Sequence, residues 1–347
     1  MRFPSPSART AVVAVTVLAS VSLAACGGSS ADESDSSDAP PVSAFPKTDG
    51  KPLKEFLTGV GLSNEIIPAL AGSVFSPGDH RLGLGLFDVG GKPITDAEVA
   101  VYAQVPGSKE AMGPFPAKVE SLHTEPAYAS KTTTQDPDAA QVVYVADVPF
   151  DSAGTYLLGA VIKTADGKET STPLQVSPES QPKGNTTPGA IDIEDNDAIP
   201  AVGDPAIKID TPTVDSVGGD IASIDTRDPH DDMHDINLAD VLGEKPVVLL
   251  FATPALCTSR VCGPVVDVEE QVKSEFKDDV DFIHMEIYKD NKPPNPRPQV
   301  SAYGLQSEPW LFVINKEGDV STRIEGAFSV PELDDAVKKV LPGGSDA

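Results

Sequence analysis

The chain has little cysteine, little aromatic content and little positive charge. Its 347 residues include three cysteines, one tryptophan and five histidines, and aromatic residues make up 5% of it. Lysine and arginine number 26 against 53 aspartates and glutamates, which gives a formal net charge of −27. Such an acidic protein is not expected to bind nucleic acid or to dock electrostatically on anionic lipid. No cysteine lies between residues 27 and 256, so that part must build its core without a disulfide.

Long apolar runs are also scarce, and the most prominent lies at the start of the chain. Arg2 and Arg9 precede an apolar stretch over residues 11–23, which is too short to span a membrane comfortably. It closes in the sequence LAAC, which resembles the bacterial lipobox. The resemblance predicts that residues 1–25 are a signal peptide and that Cys26 is acylated. The acylated Cys26 would then anchor the protein in the lipid bilayer, on the outer face of the bacterial cell membrane.

Two further stretches are typical of connections rather than folded domains. Residues 27–41 contain four acids and no base among Gly, Ser and Pro, which indicates a solvated, disordered tether over about residues 26–45. Residues 178–235 are rich in Pro, Asp, Gly and Thr and are predicted to be an acidic linker. Within them Ala201–Ala206 resembles the lead-in of redoxin-type proteins, which is compatible with part of the linker lying against a second domain.

The region from residue 69 to 177 shows short strands separated by turn signals, without a long helical stripe. This pattern, together with the sequence around Tyr156 that resembles an immunoglobulin tyrosine corner, predicts an all-β Ig-like sandwich. Its default role is to bind a partner or to act as a spacer, and the single histidines His80 and His123 are interpreted as ordinary surface residues. The seven predicted strands are Leu70–Phe75, Arg81–Phe87, Ala97–Val105, Ala117–Leu122, Gln141–Val148, Gly154–Lys163 and Thr170–Val176.

The remaining two cysteines lie where a buried strand is predicted to pass into a helix. Val247–Ala252 is a continuous apolar run, and from Val261 to Phe276 apolar residues recur at steps of three and four. Thr258 and Ser259 stand where a helix N-cap belongs. Cys257 would lie at or just before the helix start and Cys262 in its first turn, where the helix dipole favours a thiolate. The arrangement suggests a redox-active dithiol, with a structural disulfide, two unreactive thiols or a metal site as alternatives.

The spacing of the pair restricts its geometry. In an ideal helix, residues i and i+5 lie about 8 to 9 Å apart, whereas a disulfide requires Cα atoms within about 7 Å. Cys257 must therefore lie outside the helix proper if the two sulfurs are to bond. With Cys26 acylated, the even pair left in an oxidising compartment is consistent with one intramolecular disulfide, Cys257–Cys262.

From residue 236 to 342 the chain resembles the thioredoxin-like superfamily, particularly its secreted, membrane-tethered branch. The resemblance is carried by FAT at residues 251–253, by CGP at 262–264 and by Pro309, which stands where the family has a cis-proline. It implies an α/β fold with the order strand, helix, strand, helix, hairpin, helix. The predicted later elements are Val280–Tyr288, Val300–Leu305, Trp310–Ile314, Val320–Glu325 and Pro331–Leu341.

The chain departs from the family at the cysteines. Four residues separate them instead of the two in thioredoxins or the three in copper-handling Sco relatives. Leu256 replaces the usual tryptophan, and the strand over residues 247–252 lacks an acid. Two histidine-containing segments are further candidates: His230 and His234 with Met233 could bind a soft or borderline metal, although Pro229 and its neighbouring aspartates favour a solvated loop. His284 is interpreted as a packed strand residue.

The sequence thus predicts a lipid-anchored, extracytoplasmic thiol–disulfide exchange protein. Its expected partners are the thiols and disulfides of extracytoplasmic proteins. Cys257 would attack and Cys262 would resolve, although the roles could be reversed, and Pro309 would present backbone to the substrate. No cofactor and no resident metal are predicted, and the protein is expected to be a monomer. The alternatives are a Sco-like copper protein using Cys257, Cys262 and His284, and a binding module with a structural disulfide.

Overall fold

The computed structural model describes residues 36–78, 81–177 and 181–343, which belong to one compact unit. The predicted signal peptide, Cys26, the first half of the tether and His80 lie outside the described residues. Within the described part, every helix is too short or too polar to cross a membrane.

The first region of the structure is a mainly antiparallel sheet of eight strands. Its order is β1-β2-β5-β4-β3-β6-β7, with β8 paired to β6. Ala69 in β1 also bridges Gln175, just after β7, so the sheet nearly closes on itself. The predicted β character of this region is confirmed, and the Ig-like sandwich stays a prediction. The strands are β1 (Ile66–Leu70), β2 (Arg81–Asp88), β3 (Glu98–Gln104), β4 (Met112–Ser121), β5 (Val142–Asp147), β6 (Gly154–Lys163), β7 (Glu169–Pro173) and β8 (Ala190–Ile193).

Several strands differ from the sequence prediction; β4 begins at Met112 instead of Ala117, and β7 ends at Pro173 instead of Val176. The first strand is Ile66–Leu70, so it ends at the residue where we predicted it to begin. The prediction missed this strand because Pro68 interrupts its apolar pattern. Proline is tolerated there since β1 lies at the end of the hydrogen-bonded ladder. β8 falls in the stretch predicted as linker. A helix, α1 (Leu53–Val60), packs on the outside of the sheet, with the Phe56 ring 4.5 Å from that of Tyr102.

The end of the predicted tether is ordered against the β region. Ser37 and Val119 exchange two backbone hydrogen bonds of 2.9 and 3.0 Å, and the Ser36 hydroxyl accepts from the Ser121 N–H at 2.8 Å. Phe45 is buried. The chain therefore joins the folded unit before residue 45.

The second sheet has four strands in the order β10-β9-β11-β12, and the cysteines follow the carboxyl end of its interior strand β9. β9 and β10 are parallel and joined by a long helix, while β11 runs antiparallel to β9 and forms a hairpin with β12. The sequence of elements along the chain, strand, helix, strand, helix, hairpin and helix, is the one that the thioredoxin resemblance implied. The elements are α3 (Leu238–Val241), β9 (Val247–Phe251), α4 (Cys262–Phe276), β10 (Asp281–Met285), α5 (Pro298–Ala302), β11 (Trp310–Ile314), β12 (Val320–Glu325) and α6 (Val330–Val340), preceded by a short α2 (Lys131–Thr134) in the β region.

The apolar run of β9 is continuous because both faces of this strand are covered. Val248 and Leu250 pack in one core with residues of α4 and α6, and Leu249 and Phe251 pack in another with Tyr303. Each such side chain contributes about 1.5–3 kcal/mol on full burial. Leu122, Val143 and Val145 of the β region belong to the first of these cores, so the two regions share hydrophobic packing.

Much of the predicted linker lies against the second sheet. The Gly203 N–H donates to the Val320 carbonyl at 2.8 Å, and the Val320 N–H donates to Asp204 at 2.9 Å, so Ala201–Ala206 follows β12. Further on, the His284 N–H donates to the Met233 carbonyl at 3.1 Å. The segment around Met233 was expected to be a solvated loop, and that expectation is wrong: Asp231, Met233 and His234 are buried beside β10.

Candidate functional site

The two cysteines lie on the connection between β9 and α4. After β9 the chain makes a tight turn in which the Leu256 and Cys257 N–H groups both donate to the Thr253 carbonyl at 3.2 Å. Arg260 then adopts a left-handed backbone conformation with φ of 61°. A left-handed residue cannot continue an α-helix, so the helix begins after Arg260, with Cys262 as its first residue. The prediction that Thr258 and Ser259 cap the helix is therefore wrong, and Val261 holds that position without a side-chain cap.

The sulfurs of the pair lie close together with no bond between them. Both are free thiols whose Sγ atoms, with one carboxylate oxygen of Glu308, lie within 4.8 Å of one another. Cys257 is outside the helix, as a bondable pair required, and retains 5% exposure, whereas Cys262 has none. The structure describes the reduced dithiol, and the Cys257–Cys262 disulfide stays a prediction.

The surroundings shift the two thiol pKa values in opposite directions. A hydrogen bond from the Cys262 thiol is the main cause that lowers the pKa of Cys257, to about 6. Burial opposes this shift, while the Ser259 hydroxyl, whose Oγ lies 3.1 Å from Sγ, and the N–H groups of Val261 and Cys262 reinforce it. Burial and the neighbouring Cys257 raise the pKa of Cys262 well above its ordinary value. Cys257 is thus the thiolate of the pair at neutral pH, and Cys262 the thiol.

A carboxylate that the sequence reasoning missed completes the site. The Cys262 Sγ lies 3.6 Å from Glu308 Oε2, and the Tyr288 hydroxyl donates to Oε1 at 3.3 Å. Burial, followed by the charge of Cys257, raises the pKa of Glu308 to about 8. The family often places an acid in the strand that corresponds to β9, which has none here. In this chain the acid beside the cysteines is Glu308, the residue before Pro309. That adjacency was the available signal.

Pro309 occupies the position that the resemblance implied. The Glu308–Pro309 peptide is cis, and Pro309 leads directly into β11. Its carbonyl accepts a hydrogen bond of 2.9 Å from the Gly326 N–H, which ties the proline loop to the end of β12. The loop thereby holds Glu308 beside the cysteines.

The site opens into a cleft that the β region helps to form. The cleft is about 610 Å³ and is lined by Cys257, Tyr288 and Glu308 on one side and by residues 70–73 on another. The cysteine loop is also fixed to the β region, because Arg260 pairs with Asp136 at 2.9 Å and the Ala140 N–H donates to the Arg260 carbonyl at 3.0 Å. A substrate reaching Cys257 would therefore touch both regions.

The histidine proposed for a copper site lies in a different cluster. His284 is buried, as expected for a packed strand residue, with Nδ1 2.7 Å from Asp231 Oδ2 and Nε2 3.1 Å from the Ala252 carbonyl. Burial lowers its pKa, but the Asp231 carboxylate more than offsets this and the pKa rises to about 10. His234 and Asp225 belong to the same cluster, whereas Cys257 and Cys262 do not. His123 is exposed, as predicted.

Strand order, the helical crossover and a proline loop beside two thiols give the second region a thioredoxin-like topology with a buried dithiol. No protein-family model and no curated protein matches the chain. Solved structures with partial likeness include a thioredoxin-family thiol:disulfide interchange protein from Chlorobium tepidum, at 22% identity and TM-score 0.29. A second structure from that organism, described as a thiol:disulfide interchange protein DsbE, has 17% identity and TM-score 0.30.

Each of these two alignments covers 41% of this chain and 99% of the other. The C-terminal domain of ZirS aligns with 50% of this chain and 99% of its own length, at 11% identity and TM-score 0.17.

Proposed function

We propose that the protein is an extracytoplasmic thiol–disulfide exchange protein that acts through Cys257 and Cys262 and is held to the membrane by acylated Cys26. The observation that carries the exchange activity is the pair of neighbouring thiols with oppositely shifted pKa values at the base of a cleft. A thiolate is the attacking species in disulfide exchange, and a thiol with a pKa near the ambient pH attacks best. Cys257 meets both conditions and is the cysteine that lines the cleft.

The first step consumes the Cys257 thiolate. Its Sγ attacks one sulfur of a substrate disulfide, the substrate S–S bond breaks, and the other substrate sulfur leaves as a thiolate that takes a proton from water. The product is a mixed disulfide at Cys257. Pro309 has no N–H and its carbonyl accepts from Gly326, so we infer that Glu308 supplies the backbone groups that pair with the substrate chain.

The second step requires Cys262 to lose its proton. The Glu308 carboxylate is the acceptor in hydrogen-bonding distance. Once Cys257 is in the mixed disulfide, its negative charge no longer raises the pKa of Glu308, so Glu308 ionises more readily and can take the proton. The Cys262 thiolate then attacks the Cys257 sulfur and releases the second substrate sulfur. The substrate gains two electrons, and the protein is left as the Cys257–Cys262 disulfide; a dithiol partner would reduce it again.

The β region restricts access to the reactive cysteine. Residues 70–73 line the cleft and Asp136 fixes the cysteine loop through Arg260. In this proposal the β region limits which extracytoplasmic proteins reach Cys257, in addition to any partner docking or spacing from the membrane. The copper-handling alternative loses the third ligand that the sequence offered, because His284 is engaged with Asp231 and Ala252.

A trapping experiment tests the exchange. The protein lacking residues 1–26 is reduced and mixed with oxidised glutathione, and adducts are counted by mass spectrometry. The Cys262→Ser variant should accumulate a glutathione adduct at Cys257, while Cys257→Ser should accumulate little. Failure of both variants to form adducts, with a protein potential below about −300 mV, would instead indicate a structural disulfide. Stoichiometric Cu(I) binding that requires Cys257, without exchange, would favour the copper alternative.

The membrane anchor is tested separately in the full chain. Cys26→Ala should move the protein from the membrane fraction to the soluble fraction, because a lipid on Cys26 would be its attachment. A variant that remains in the membrane fraction would contradict the anchor without touching the exchange proposal.

A further inference from the structure

Three of the five histidines in the chain converge on two buried aspartates. His234 and His284 have side chains 2% and 0% exposed, and Asp225 and Asp231 have 0%. His230, which is 38% exposed, reaches the same group from the surface, with Nδ1 3.3 Å from Asp225 Oδ2. The cluster joins the loop before α3 to β10. It shares no residue with the group formed by Cys257, Cys262 and Glu308.

We propose that Asp225, Asp231, His234 and His284 form a binding site for a divalent transition metal ion, for which zinc is the best match. Each residue offers one ligand atom, and these four atoms lie within 4.8 Å of one another. Ligand atoms around a tetrahedral zinc ion are about 3.3 Å apart, given bonds of about 2.0–2.1 Å. His234 Nε2 lies 3.3 Å from Asp231 Oδ1 and 3.9 Å from Asp225 Oδ2, near that value, whereas the 2.7 Å between His284 Nδ1 and Asp231 Oδ2 is a hydrogen-bond length that would have to open as the ion enters.

An unpaired nitrogen points into the cluster. His234 Nε2 is buried and makes no hydrogen bond within the described residues, although it lies 3.3 Å from Asp231 Oδ1 and 3.9 Å from Asp225 Oδ2. A buried polar atom without a partner is costly. A metal ion placed between this nitrogen and the two carboxylates would satisfy it directly.

The surrounding groups hold the proposed ligands in position. The Ala252 carbonyl can only accept, so His284 Nε2 carries a proton and Nδ1 is the nitrogen turned toward Asp231. Metal-binding histidines characteristically donate their other ring N–H to such a carbonyl. The carboxylates are fixed in the same way: Asp225 accepts from the N–H groups of Arg227 and Asp231 at 2.7 and 2.9 Å, and Asp231 accepts from Met233 at 3.0 Å.

The donor set selects the class of ion. Two imidazoles disfavour calcium and magnesium, which prefer oxygen ligands, and the lack of thiolate or thioether donors in this set disfavours Cu(I). Two ionised aspartates and two histidines, each bound through a deprotonated ring nitrogen, would carry a charge of −2, which a divalent cation balances; the entering ion displaces the second ring proton of His284. Nitrogen and oxygen donors in equal number suit zinc.

Zinc binding to the purified protein tests this assignment. Because the dithiol also binds zinc readily, the parent is the Cys257→Ser/Cys262→Ser protein lacking residues 1–26, and its zinc content is measured after dialysis against zinc chloride. We expect one zinc ion per chain. Loss of the partners of a ligand already weakens binding 10- to 100-fold, so His234→Ala should weaken it by at least about 100-fold. The exposed His123→Ala variant should bind as the parent does.

Two results would overturn the assignment. One is a parent that binds no zinc, and the other is a correctly folded His234→Ala variant that binds zinc as the parent does. Should His234→Ala fail to fold, the X-ray absorption spectrum of the zinc-loaded parent decides, because it must show two imidazole ligands. A spectrum without imidazole scattering would assign the ion to surface carboxylates.

Discussion

The Cys262 Sγ atom lies 3.6 Å from Glu308 Oε2, and this contact couples the cysteine helix to the proline loop. Glu308 directly precedes Pro309 and accepts a hydrogen bond of 3.3 Å from the Tyr288 hydroxyl. Cys262 itself is fully buried, so no water can take its proton directly. The carboxylate is therefore the group that could make Cys262 a nucleophile.

Replacing this carboxylate should separate the two steps of exchange. Glu308→Gln keeps the size of the side chain but removes the proton acceptor. We expect attack by Cys257 to remain, while resolution by Cys262 slows by roughly 10²-fold, since proton transfer by a positioned group contributes about 10²–10⁴-fold. Rapid-quench mass spectrometry should show the mixed disulfide accumulating. The exposed Glu317→Gln variant is the control, and equal resolution rates in both variants would remove Glu308 from the mechanism.

The low pKa of Cys257 predicts a titration that can be followed by thiolate absorbance near 240 nm. The midpoint should lie at about 6, and Cys257→Ser should abolish the step. Ser259→Ala should raise this pKa, because it removes a donor 3.1 Å from Sγ. Thr258→Ala, an exposed neighbour, should leave it unchanged. A midpoint at or above the free-thiol value of about 8.5 would contradict the assignment of Cys257 as nucleophile.

The same shift predicts how the stability of the reduced protein responds to pH. The folded-state pKa of Cys257 is lower than that of an unfolded thiol, so ionisation favours the folded form. This contribution is complete above about pH 8.5 and is lost as the pH falls through about 6. Cys257→Ser should flatten the dependence in this range.

Much of the second region could be predicted from local patterns. β11 and β12 lie at the predicted residues, and the stripe from Val261 to Phe276 is the buried face of α4. These elements are readable because an apolar run or a stripe of fixed period reports burial along a single element. The place of Pro309 followed from the family resemblance.

What could not be predicted depends on contacts between distant parts of the chain. Glu308 meets Cys262 across 46 residues, and its adjacency to Pro309 is the one local signal that marks it as a partner. Asp231 and His234 have the polarity of a solvated loop, yet they are buried because Asp225 and His284 meet them. The start of α4 was misplaced because the left-handed Arg260 overrides the capping preference of Ser259.

A pair of glycines predicts how tightly the β region and the proline loop are joined. Gly326 and Gly243 have nearly the same φ, 87° and 88°, but a Cβ on Gly326 would lie 2.5 Å from the Ala71 carbonyl oxygen, while one on Gly243 meets nothing within 4 Å. Alanine at either position costs about 1–2 kcal/mol for the left-handed backbone. Gly326→Ala should lose a further ~1–3 kcal/mol through overpacking. Equal urea midpoints for the two variants would show that the backbone around Ala71 and Gly326 moves apart without a cost in stability.

The buried pair of Arg227 and Asp267 should stabilise the unit far more than a surface pair does. The Arg227 Nε lies 2.9 Å from Asp267 Oδ1, the two side chains are 6% and 2% exposed, and Nη2 also donates to the Tyr128 carbonyl at 2.6 Å. The pair thus joins the buried loop, α4 and the β region. Arg227→Met leaves the carboxylate buried without its cation, which should cost about 3–5 kcal/mol of the free energy of unfolding.

Lys131→Met provides the matched control for this prediction. Lys131 pairs with Asp228 at 3.2 Å, but the two side chains are 60% and 64% exposed. Solvent screens an exposed pair, so its loss should cost less than about 1 kcal/mol. Urea unfolding of both variants measures the difference at constant pH and salt. Equal losses of unfolding free energy in the two variants would show that the Arg227–Asp267 contact does not hold the loop, α4 and the β region together. The buried position of Asp231 and His234 would then need another cause.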